Sequence, residues 1–276
     1  LRGLIAEIFL TRQKRSAAAL VFAIRNQCLK AGLAPPSEST IRRRLKTLSP
    51  AEHCQRGEPH PEIKPIYGIT PTSDIPLDWL QIDHTPVDLI IVDPVDRSPI
   101  GRPWLTVAID VFSRCIAGFH LSLEAPSATS VGLCLALVAS DKAPWLQQRD
   151  IEASWPVNGK PRRIGVDNAS EFHSLAFERG CAQHGIAIEW RPPGLPHYGG
   201  VVERVIGTLM QLVHALPGTT FSNPTQRGGY DSDKTACLTL EELERWFAVA
   251  ITKYYHLRPH EGMDDDIPLH RYQQGL

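Results

Sequence analysis

The stretch Trp79-Leu80-Gln81-Ile82-Asp83-His84 decides the fold prediction. Its apolar and aromatic residues predict a short β-strand, and the acid Asp83 lies within that strand. An unpaired carboxylate inside a buried strand is costly in free energy, and a divalent cation offsets that cost. A single acid at the end of a strand is more often a turn or cap residue. The interpretation therefore depends on whether other acids lie in comparable positions.

Two further acids do so. Asp167 ends the apolar run Ile164-Gly165-Val166, and Glu203 lies in the first turn of a predicted helix that follows Gly199-Gly200. Thirty-five residues separate Asp167 from Glu203. Carboxylate oxygens suit Mg²⁺, and two ions about 3.5–4 Å apart can clamp the attacking and leaving oxygens of a phosphodiester. In combination, Asp83, Asp167 and Glu203 predict a metal-dependent catalytic site.

The segments around these acids alternate between strand and helix patterns. We predict strands at 79–84, 87–92, 102–109, 115–123, 163–166 and 186–190, and helices at 127–140, 170–184, 201–216 and 239–255. Ser113-Arg114 is predicted as a hairpin turn, and Thr239 with Glu242 as a capping box. This order predicts an α/β fold in which helices flank a mixed sheet.

Residues 1–48 have a different pattern and are predicted to form a small helical module. A helix over 16–31 ends at a Gly/Pro turn, and Ser37 then caps a second helix. That helix has an apolar stripe, and its other faces have the basic side chains of Arg42, Arg43, Arg44 and Lys46. The pattern is typical of a DNA-binding helix-turn-helix, although a plain helical bundle with solvated arginines has the same pattern.

Residues 49–76 are rich in Pro, Glu, Gly and Ser and are predicted to be a linker, so that 77–276 form the catalytic core with a C-terminal helical extension. The net charge of −1 hides a division between these parts. Residues 1–50 contain ten basic and two acidic residues, whereas the remainder contains 19 basic and 28 acidic residues. The basic arm suits DNA phosphates, and the acidic body needs a metal ion to tolerate DNA.

Several classes of protein are excluded. No run of eighteen apolar residues predicts a transmembrane helix, and the first residues lack the charged-then-apolar pattern of a signal peptide. The first residue is Leu rather than Met, so we expect a fragment of a longer protein, which we predict to be cytoplasmic. The six cysteines lack C-x-x-C spacing, and we predict free thiols rather than disulfides or a zinc module. His53, Cys54 and His60 do not complete a ligand set. Nucleophile-elbow and Walker-type motifs are absent.

The ordered motifs resemble a known family. They are Trp79-Leu80-Gln81-Ile82-Asp83-His84-Thr85, Gly101-Arg102-Pro103-Trp104-Leu105-Thr106, Asp110-Val111-Phe112-Ser113-Arg114, Val166-Asp167-Asn168-Ala169-Ser170-Glu171-Phe172, His184-Gly185-Ile186, Gly199-Gly200-Val201-Val202-Glu203-Arg204 and Tyr255-His256-Leu257-Arg258-Pro259-His260. As a set they resemble bacterial transposases of the phage Mu type and the large transposase subunits of mercury-resistance-type transposons, within the retroviral integrase superfamily. The resemblance covers about residues 10–276.

The resemblance implies an RNase H-like fold and metal-dependent DNA chemistry. Asp83, Asp167 and Glu203 would hold two Mg²⁺ ions, for which Mn²⁺ can substitute. Water would cut the transposon end, and the freed 3′-hydroxyl would attack target DNA without a covalent protein intermediate. The implied partners are transposon ends, target DNA, further copies assembled on DNA and an ATP-dependent target-selection protein, in a nucleoid-associated setting. Related transposases continue into a small β-barrel and a tail, which this sequence does not include.

The sequence departs from retroviral integrases in two ways. Met210 stands where those enzymes have a basic residue seven positions after the glutamate, and their zinc-binding N-terminal module has no counterpart here. Both departures favour the bacterial branch. Two alternatives remain open: a non-catalytic DNA-binding regulator derived from a transposase, and an RNase H-like nuclease that only cleaves. All three acids are present, which favours a catalyst.

Other polar residues lie near the motifs, and each has its own interpretation. Asp110 precedes the predicted hairpin turn and is interpreted as structural, while Glu171 suits a helix N-terminus without any catalytic role. Arg204 is predicted to face a DNA phosphate, with a salt bridge as the alternative. His197 and Tyr198 lie in a Gly/Pro-rich loop that either positions substrate or forms a solvated turn.

Overall fold

The computed structural model describes residues 1–11, 17–49, 52, 72–191, 196–222 and 228–276. The chain divides into two units, residues 1–67 and 68–276. Most of the predicted linker lies outside the described residues, as do His53, Cys54 and His60. The boundaries at 48 and 76 therefore stay predictions. Among the helices of the described ranges, none has both the length and the apolar composition that crossing a membrane requires.

In the residues that the structure describes, the first unit has three short helices around a core of its own. They are α1 (Arg2–Ile8), α2 (Ala17–Lys30) and α3 (Glu38–Leu45). The apolar side chains that they bury are Ile5, Phe9, Leu20, Val21, Ile24 and Ile41. As predicted, Ser37 caps α3, because its hydroxyl accepts a hydrogen bond from the Thr40 amide at 3.3 Å.

The second unit is built on a mixed sheet. Its strands are β1 (Trp79–Pro86), β2 (Ile91–Val92), β3 (Pro99–Gly101), β4 (Trp104–Asp110), β5 (Ile116–Ser122), β6 (Arg163–Val166) and β7 (Ala187–Trp190). Its α-helices are α4 (Ala128–Ala139), α5 (Ala143–Gln147), α6 (Leu175–Gln183), α7 (Gly200–Val213), α8 (Ser232–Thr235), α9 (Leu240–Val249) and α10 (Pro268–Gln274).

Strand β1 is the centre of the five-stranded sheet, whose order is β5-β4-β1-β6-β7. It pairs antiparallel with β4 and parallel with β6, and β4–β5 forms the predicted hairpin. Strand β7 adds in parallel to β6. The predicted mixed sheet flanked by helices, which is the RNase H-like arrangement, is confirmed.

Helices cover both faces of this sheet. Gly118 on β5 faces α4, since a Cβ there would lie 2.8 Å from a Val138 methyl group, and its neighbours across the sheet are Ala108 and Ile82. Successive residues of a strand point to opposite faces, so Gln81 points the other way, toward α7. The α7 face of the sheet is therefore the face that Gln81 and Asp83 share.

The strand predicted at 87–92 is largely wrong. Only Ile91–Val92 forms a strand, and it pairs with Pro99–Gly101 in a separate two-stranded sheet. The alternation of apolar residues is real, because Val87, Leu89 and Ile91 are fully buried. Their segment, however, bonds to loops: the amides of Val87 and Ile90 donate to the carbonyls of Pro103 and Gly218.

The helix predicted at 170–184 is divided. A 3₁₀ turn spans Ser170–His173, and α6 begins only at Leu175. Ser174 causes the division, since its hydroxyl accepts a hydrogen bond from the Phe177 amide at 3.3 Å and so caps α6. The helix after the capping box of Thr239 and Glu242 is confirmed, although it continues as a π-helical turn over Ala250–Tyr254.

The described cysteines agree with the prediction of free thiols. Cys28, Cys115, Cys134, Cys181 and Cys237 form no disulfide, and Cys54 lies outside the described residues. Burial raises the pKa of the Cys134 thiol to about 12 and that of Cys181 to about 11. These thiols belong to the core, where they pack as small apolar groups.

Candidate active site

Asp83 and Asp167 are neighbours by strand register. Gln81 on β1 is paired with Gly165 on β6, and the two acids each lie two residues further along these parallel strands. Residues two apart on a strand share a face, so Asp83, which lies within β1, and Asp167, which directly follows β6, are both placed on the α7 face. Both are partly buried. The structure thus brings together two of the three predicted acids.

Glu203 reaches this face through α7, which Gln81 attaches to the central strand. The Gln81 amide nitrogen donates to the Tyr198 carbonyl at 2.6 Å, and its oxygen accepts from the Val202 amide at 3.2 Å. Gln81 is 1% exposed, so these bonds are shielded from water. They satisfy a helix-terminal amide and fix the first turn of α7, which contains Glu203.

Arg191 lies among these acids. Its Nη1 is 3.2 Å from Asp83 Oδ2, and its Nη2 donates to the Ile82 carbonyl at 3.4 Å. A Cβ placed on Gly199 would lie 2.7 Å from both Arg191 Nη1 and Glu203 Oε1. The guanidinium and the Glu203 carboxylate therefore both border the space beside Gly199, where a larger residue would displace one of them, but the two do not form an ion pair.

Carboxylate oxygens such as those of Asp83, Asp167 and Glu203 are the kind of ligand that a hard divalent cation prefers. Each aspartate commits one oxygen to a nearby amide: Asp83 Oδ1 accepts from His84 at 2.8 Å, and Asp167 Oδ1 accepts from Ala169 at 3.0 Å. The guanidinium of Arg191 places positive charge against Asp83. Within the described ranges, no three His, Cys, Asp or Glu side chains converge tightly enough to hold an ion. Asp83 and Asp167 are placed on one face of the sheet, and Glu203 is exposed in the first turn of α7.

Asp110 has the structural role predicted for it. It is fully buried, and its oxygens accept from the amides of Leu77 and Ser113, each at 3.0 Å, and from the Ser113 hydroxyl. Burial raises the pKa of Asp110, while these hydrogen bonds oppose the shift. Its carboxylate shapes the turn between β4 and β5 and is not a fourth ligand.

The predicted DNA-contacting residues of the first unit are exposed. Arg42, Arg43 and Arg44 lie on α3, and Lys46 follows as its C-cap residue rather than lying on a helix face. Arg42 is paired with Glu38 at 2.7 Å, an exposed pair of small energetic value. A role for these residues in DNA binding stays a prediction.

The structure describes some of the other polar residues near the site and not others. Arg204 is exposed, and its Nε donates to the Gly200 carbonyl at 2.9 Å, while the described side chains include no acid that forms an ion pair with it. Tyr198 contributes its carbonyl to the contact with Gln81. The side chains of Glu171 and His197 lie outside what the structure describes.

Gln81 and Arg191 were not among the predicted site residues. Gln81 had a signal, because it is polar, fully within an apolar run, and two residues before Asp83. Arg191 had a weaker one: it directly follows β7, as Asp167 directly follows β6, so both lie at the same edge of a parallel pair. Residues at such an edge converge on ligand sites.

The chain is similar in sequence to known transposition proteins. The sequence model of a family described as the TnsB C-terminal domain matches residues 81–218. The transposase of transposon Tn552 from Staphylococcus aureus is 28% identical over 271 residues, 97% of this chain and 52% of that protein. The Tn7 transposition protein TnsB from Escherichia coli is 37% identical over 133 residues, 47% of this chain and 19% of that protein. The chain thus spans about half the length of the first relative and a fifth of the second.

Among solved structures, the chain has remote likenesses to integrases. The HTLV-2 integrase catalytic core, solved with magnesium, has a TM-score of 0.40 at 15% identity. The match covers 72% of this chain and 97% of the integrase chain. A simian T-cell lymphotropic virus intasome chain has a TM-score of 0.42 at 18% identity and covers 74% of this chain and 58% of its own. The fold assignment depends on the strand order, and the family assignment on the match over residues 81–218, which is half of the chain. The chain belongs to the family of the TnsB C-terminal domain.

Proposed function

We propose that the second unit is the catalytic core of a DNA transposase, a polynucleotidyl transferase with an Asp-Asp-Glu triad. It cuts the strands at transposon ends and joins their 3′-hydroxyls to target DNA. Membership of the TnsB C-terminal domain family supports this activity, as does the relationship to the Tn552 transposase. The observation that carries it is that Asp83 and Asp167 each lie two residues beyond the paired Gln81 and Gly165, on the face where the first turn of α7 is anchored.

Each residue of the site has a role in this proposal. Asp83, Asp167 and Glu203 hold divalent metal, two Mg²⁺ ions or Mn²⁺ in their place. When bound, such ions activate a hydroxyl nucleophile and neutralise charge on the phosphodiester. Gln81 positions Glu203 through α7. Arg191 balances the carboxylates, whose mutual repulsion would otherwise destabilise the metal-free site.

The test uses the protein in its natural length and Mg²⁺: uncut DNA of the element's ends reports cleavage, and pre-cut ends with a plasmid target report strand transfer. Asp83→Asn, Asp167→Asn and Glu203→Gln should each lower cleavage and joining by several orders of magnitude, because each removes a metal ligand. The matched control is Glu178→Gln, which changes an exposed glutamate in the first turn of another helix, α6. It should leave both steps intact.

Three results would contradict the proposal in different ways. Normal strand transfer by Glu203→Gln would remove Glu203 from the triad. Cleavage without joining by the unchanged protein would favour a nuclease. End binding without either step would favour a regulator derived from a transposase.

The remaining parts of the proposal concern partners. The first unit recognises transposon ends through Arg42, Arg43, Arg44 and Lys46, whose exposure leaves them available to phosphates or bases. The protein assembles on DNA and acts with an ATP-dependent target-selection protein at the bacterial nucleoid. Within its superfamily it lies on the branch of the phage Mu and mercury-resistance transposases. Gel filtration with and without end DNA tests the assembly.

A further inference from the structure

A cavity of about 270 Å³ opens beside α7. One wall is the α7 face made by Arg204 and Thr208, and another is the β4–β5 turn with Arg114. The segment after α9 closes it with Tyr255, His260 and Met263. The two arginines therefore come from separate elements and meet at one cavity. No aspartate or glutamate is among the described residues that line it.

Arg114 lacks a hydrogen-bond partner for part of its guanidinium. Its Nη1 is shielded from solvent and finds no acceptor among the described residues. A buried donor without an acceptor is costly in free energy, particularly when it is charged. Arg114 is held there by its backbone: its φ of 63° lies in the left-handed region, and its carbonyl accepts a hydrogen bond from the Tyr255 hydroxyl at 3.1 Å.

The second arginine, Arg204, has free donors as well. Among the described residues, only its Nε is engaged, with the Gly200 carbonyl of its own helix. Its Nη1 extends toward the loop at Gly262, 3.9 Å from where a Cβ would stand on that glycine. The other polar groups of the cavity are already used, since the Thr208 hydroxyl donates to the Arg204 carbonyl and His260 Nε2 lies 3.1 Å from the Tyr255 carbonyl.

The local charge is positive and only partly balanced. The pKa of Arg114 is lowered to about 10, by burial first and then by repulsion from Arg204 and Arg271, with Asp110 opposing the shift. Arg114 remains charged at neutral pH, so cationic groups share the region, and the buried Asp110 offsets only part of their charge. Such an arrangement of guanidinium donors suits an oxyanion with several acceptor oxygens.

We propose that this cavity binds a phosphate group and that, in the working protein, the group is a backbone phosphodiester of the DNA strand presented to Glu203. The assignment to DNA rests on the proposed function. Glu203 and Arg204 are consecutive on α7, about 3.8 Å apart between Cα atoms, so a strand that reaches Glu203 also comes close to the helical turn that contains Arg204. A second arginine on a rigid turn then fixes the position of that strand relative to the metal site.

The test compares Arg204→Gln with Arg179→Gln, an exposed arginine on α6 outside the cavity. The first arm titrates inorganic phosphate into the chain at constant ionic strength, with chloride as the reference, and follows amide NMR signals of the β4–β5 turn and α7. Phosphate should shift these signals in the unchanged chain and in Arg179→Gln. Arg204→Gln should weaken phosphate binding about tenfold or more, and Arg204→Lys should recover part of it.

The second arm measures the salt dependence of binding to a short duplex of random sequence. Arg204→Gln should reduce the slope of log K against log salt by about 0.9, the value for one lost phosphate contact. Arg204 and Arg179 are both exposed residues on helices. Thermal unfolding checks that the two variants fold. Arg114→Lys is a second probe of the same cavity from the other element.

The outcomes separate the alternatives. Phosphate shifts that do not depend on Arg204 overturn the cavity as an anion site. Phosphate binding at the cavity with an unchanged DNA slope overturns the assignment to DNA and identifies a site for free phosphate. Strand transfer is measured separately, so its failure would contradict the proposed function while both binding arms stay interpretable.

Discussion

The side-chain oxygen of Gln81 accepts a hydrogen bond from the backbone amide of Val202 at 3.2 Å, which joins the central strand to the first turn of α7. The Gln81 nitrogen donates to the Tyr198 carbonyl in the preceding turn. One side chain thus fixes both the end of the loop and the start of the helix. Val202 precedes Glu203, so this contact determines where the third acid stands over the first two.

Gln81→Met should weaken the site more than the fold. The variant keeps the length of the side chain but leaves the Tyr198 carbonyl and the Val202 amide without partners, at a cost of about 1–3 kcal/mol in the free energy of unfolding. We expect strand transfer to need a higher Mg²⁺ concentration, because Glu203 is no longer held. Urea unfolding and a Mg²⁺ titration of activity measure the two effects.

Gln81→Glu gives a sharper comparison for the same contact. Glutamate still accepts from the Val202 amide but cannot donate to the Tyr198 carbonyl when it is ionised. Activity should recover only in part. Equal Mg²⁺ requirements in Gln81→Met and the unchanged protein would show that Gln81 supports folding alone.

Arg191→Gln should increase the affinity of the site for metal. The change removes a unit positive charge that lies 3.2 Å from Asp83 and beside Glu203, so a divalent ion no longer competes with it. We expect Mn²⁺ to bind about tenfold more tightly, equivalent to ~1.4 kcal/mol. Isothermal titration calorimetry measures this affinity.

Arg149→Gln is the control, because Arg149 is a partly buried arginine paired with Glu244 at 2.8 Å, in an ion pair that includes none of the site acids. It should leave Mn²⁺ affinity unchanged. Metal binding that weakens in a folded Arg191→Gln would mean that the guanidinium helps to organise the ligands instead of standing in for the ion.

Buried His256 should make the second unit sensitive to acid. Its ring is fully buried, accepts a hydrogen bond from the Ile116 amide at 3.0 Å and packs edge-on against Trp155. Burial lowers the pKa of His256 from 6.5 to about 3. Between these values the unfolded chain binds a proton that the folded chain does not, so stability is full above pH 6.5 and falls as the pH is lowered, by ~1.4 kcal/mol per pH unit.

Urea unfolding between pH 4 and pH 7 measures this dependence. His256→Gln should reduce the slope of the free energy of unfolding against pH by the equivalent of about one proton. His270→Gln, at an exposed position, should leave this slope unchanged. Asp110 acts in the opposite direction, because burial raises its pKa and its protonation favours the folded state at low pH. A slope that His256→Gln leaves unchanged would assign the acid sensitivity to other groups.

Replacing Arg42, Arg43 and Arg44 together by Ala should weaken DNA binding by the first unit. These arginines are exposed and consecutive, so they cannot all face one groove, and at least one contacts phosphate. We expect the slope of log K against log salt to fall by about one or two units. Arg25→Ala on α2 is the control, and an unchanged slope in the triple variant would favour a merely solvated face.

The sequence predicted those parts of the fold that depend on residues close together in the chain, namely helix caps and apolar strands. The Ser37 cap and the capping box of Thr239 and Glu242 were predicted correctly, because each depends on residues three apart. The strands that contain Asp83 and precede Asp167 were also correct, since apolar strands are recognisable from composition alone.

Tertiary contacts account for the rest. Apolar alternation at 87–92 reports burial, and burial does not specify that the backbone bonds to loops rather than to a strand. Arg191 stands beside Asp83 only because β7 adds to β6 in parallel, and no local pattern contains that pairing. The same applies to Arg114 and Arg204, which become neighbours through packing.

The central place of β1 in the sheet has a consequence for the chain while it is being synthesised. The β4–β5 hairpin and its pairing with β1 join segments that follow each other closely, and such local pairings form early. Strand β6 and helix α7 emerge much later, and until they dock, Asp83 has neither Asp167 nor Glu203 beside it. A ribosome-bound or incompletely folded chain therefore has no means of cutting DNA, and the proposed activity begins only with completed folding.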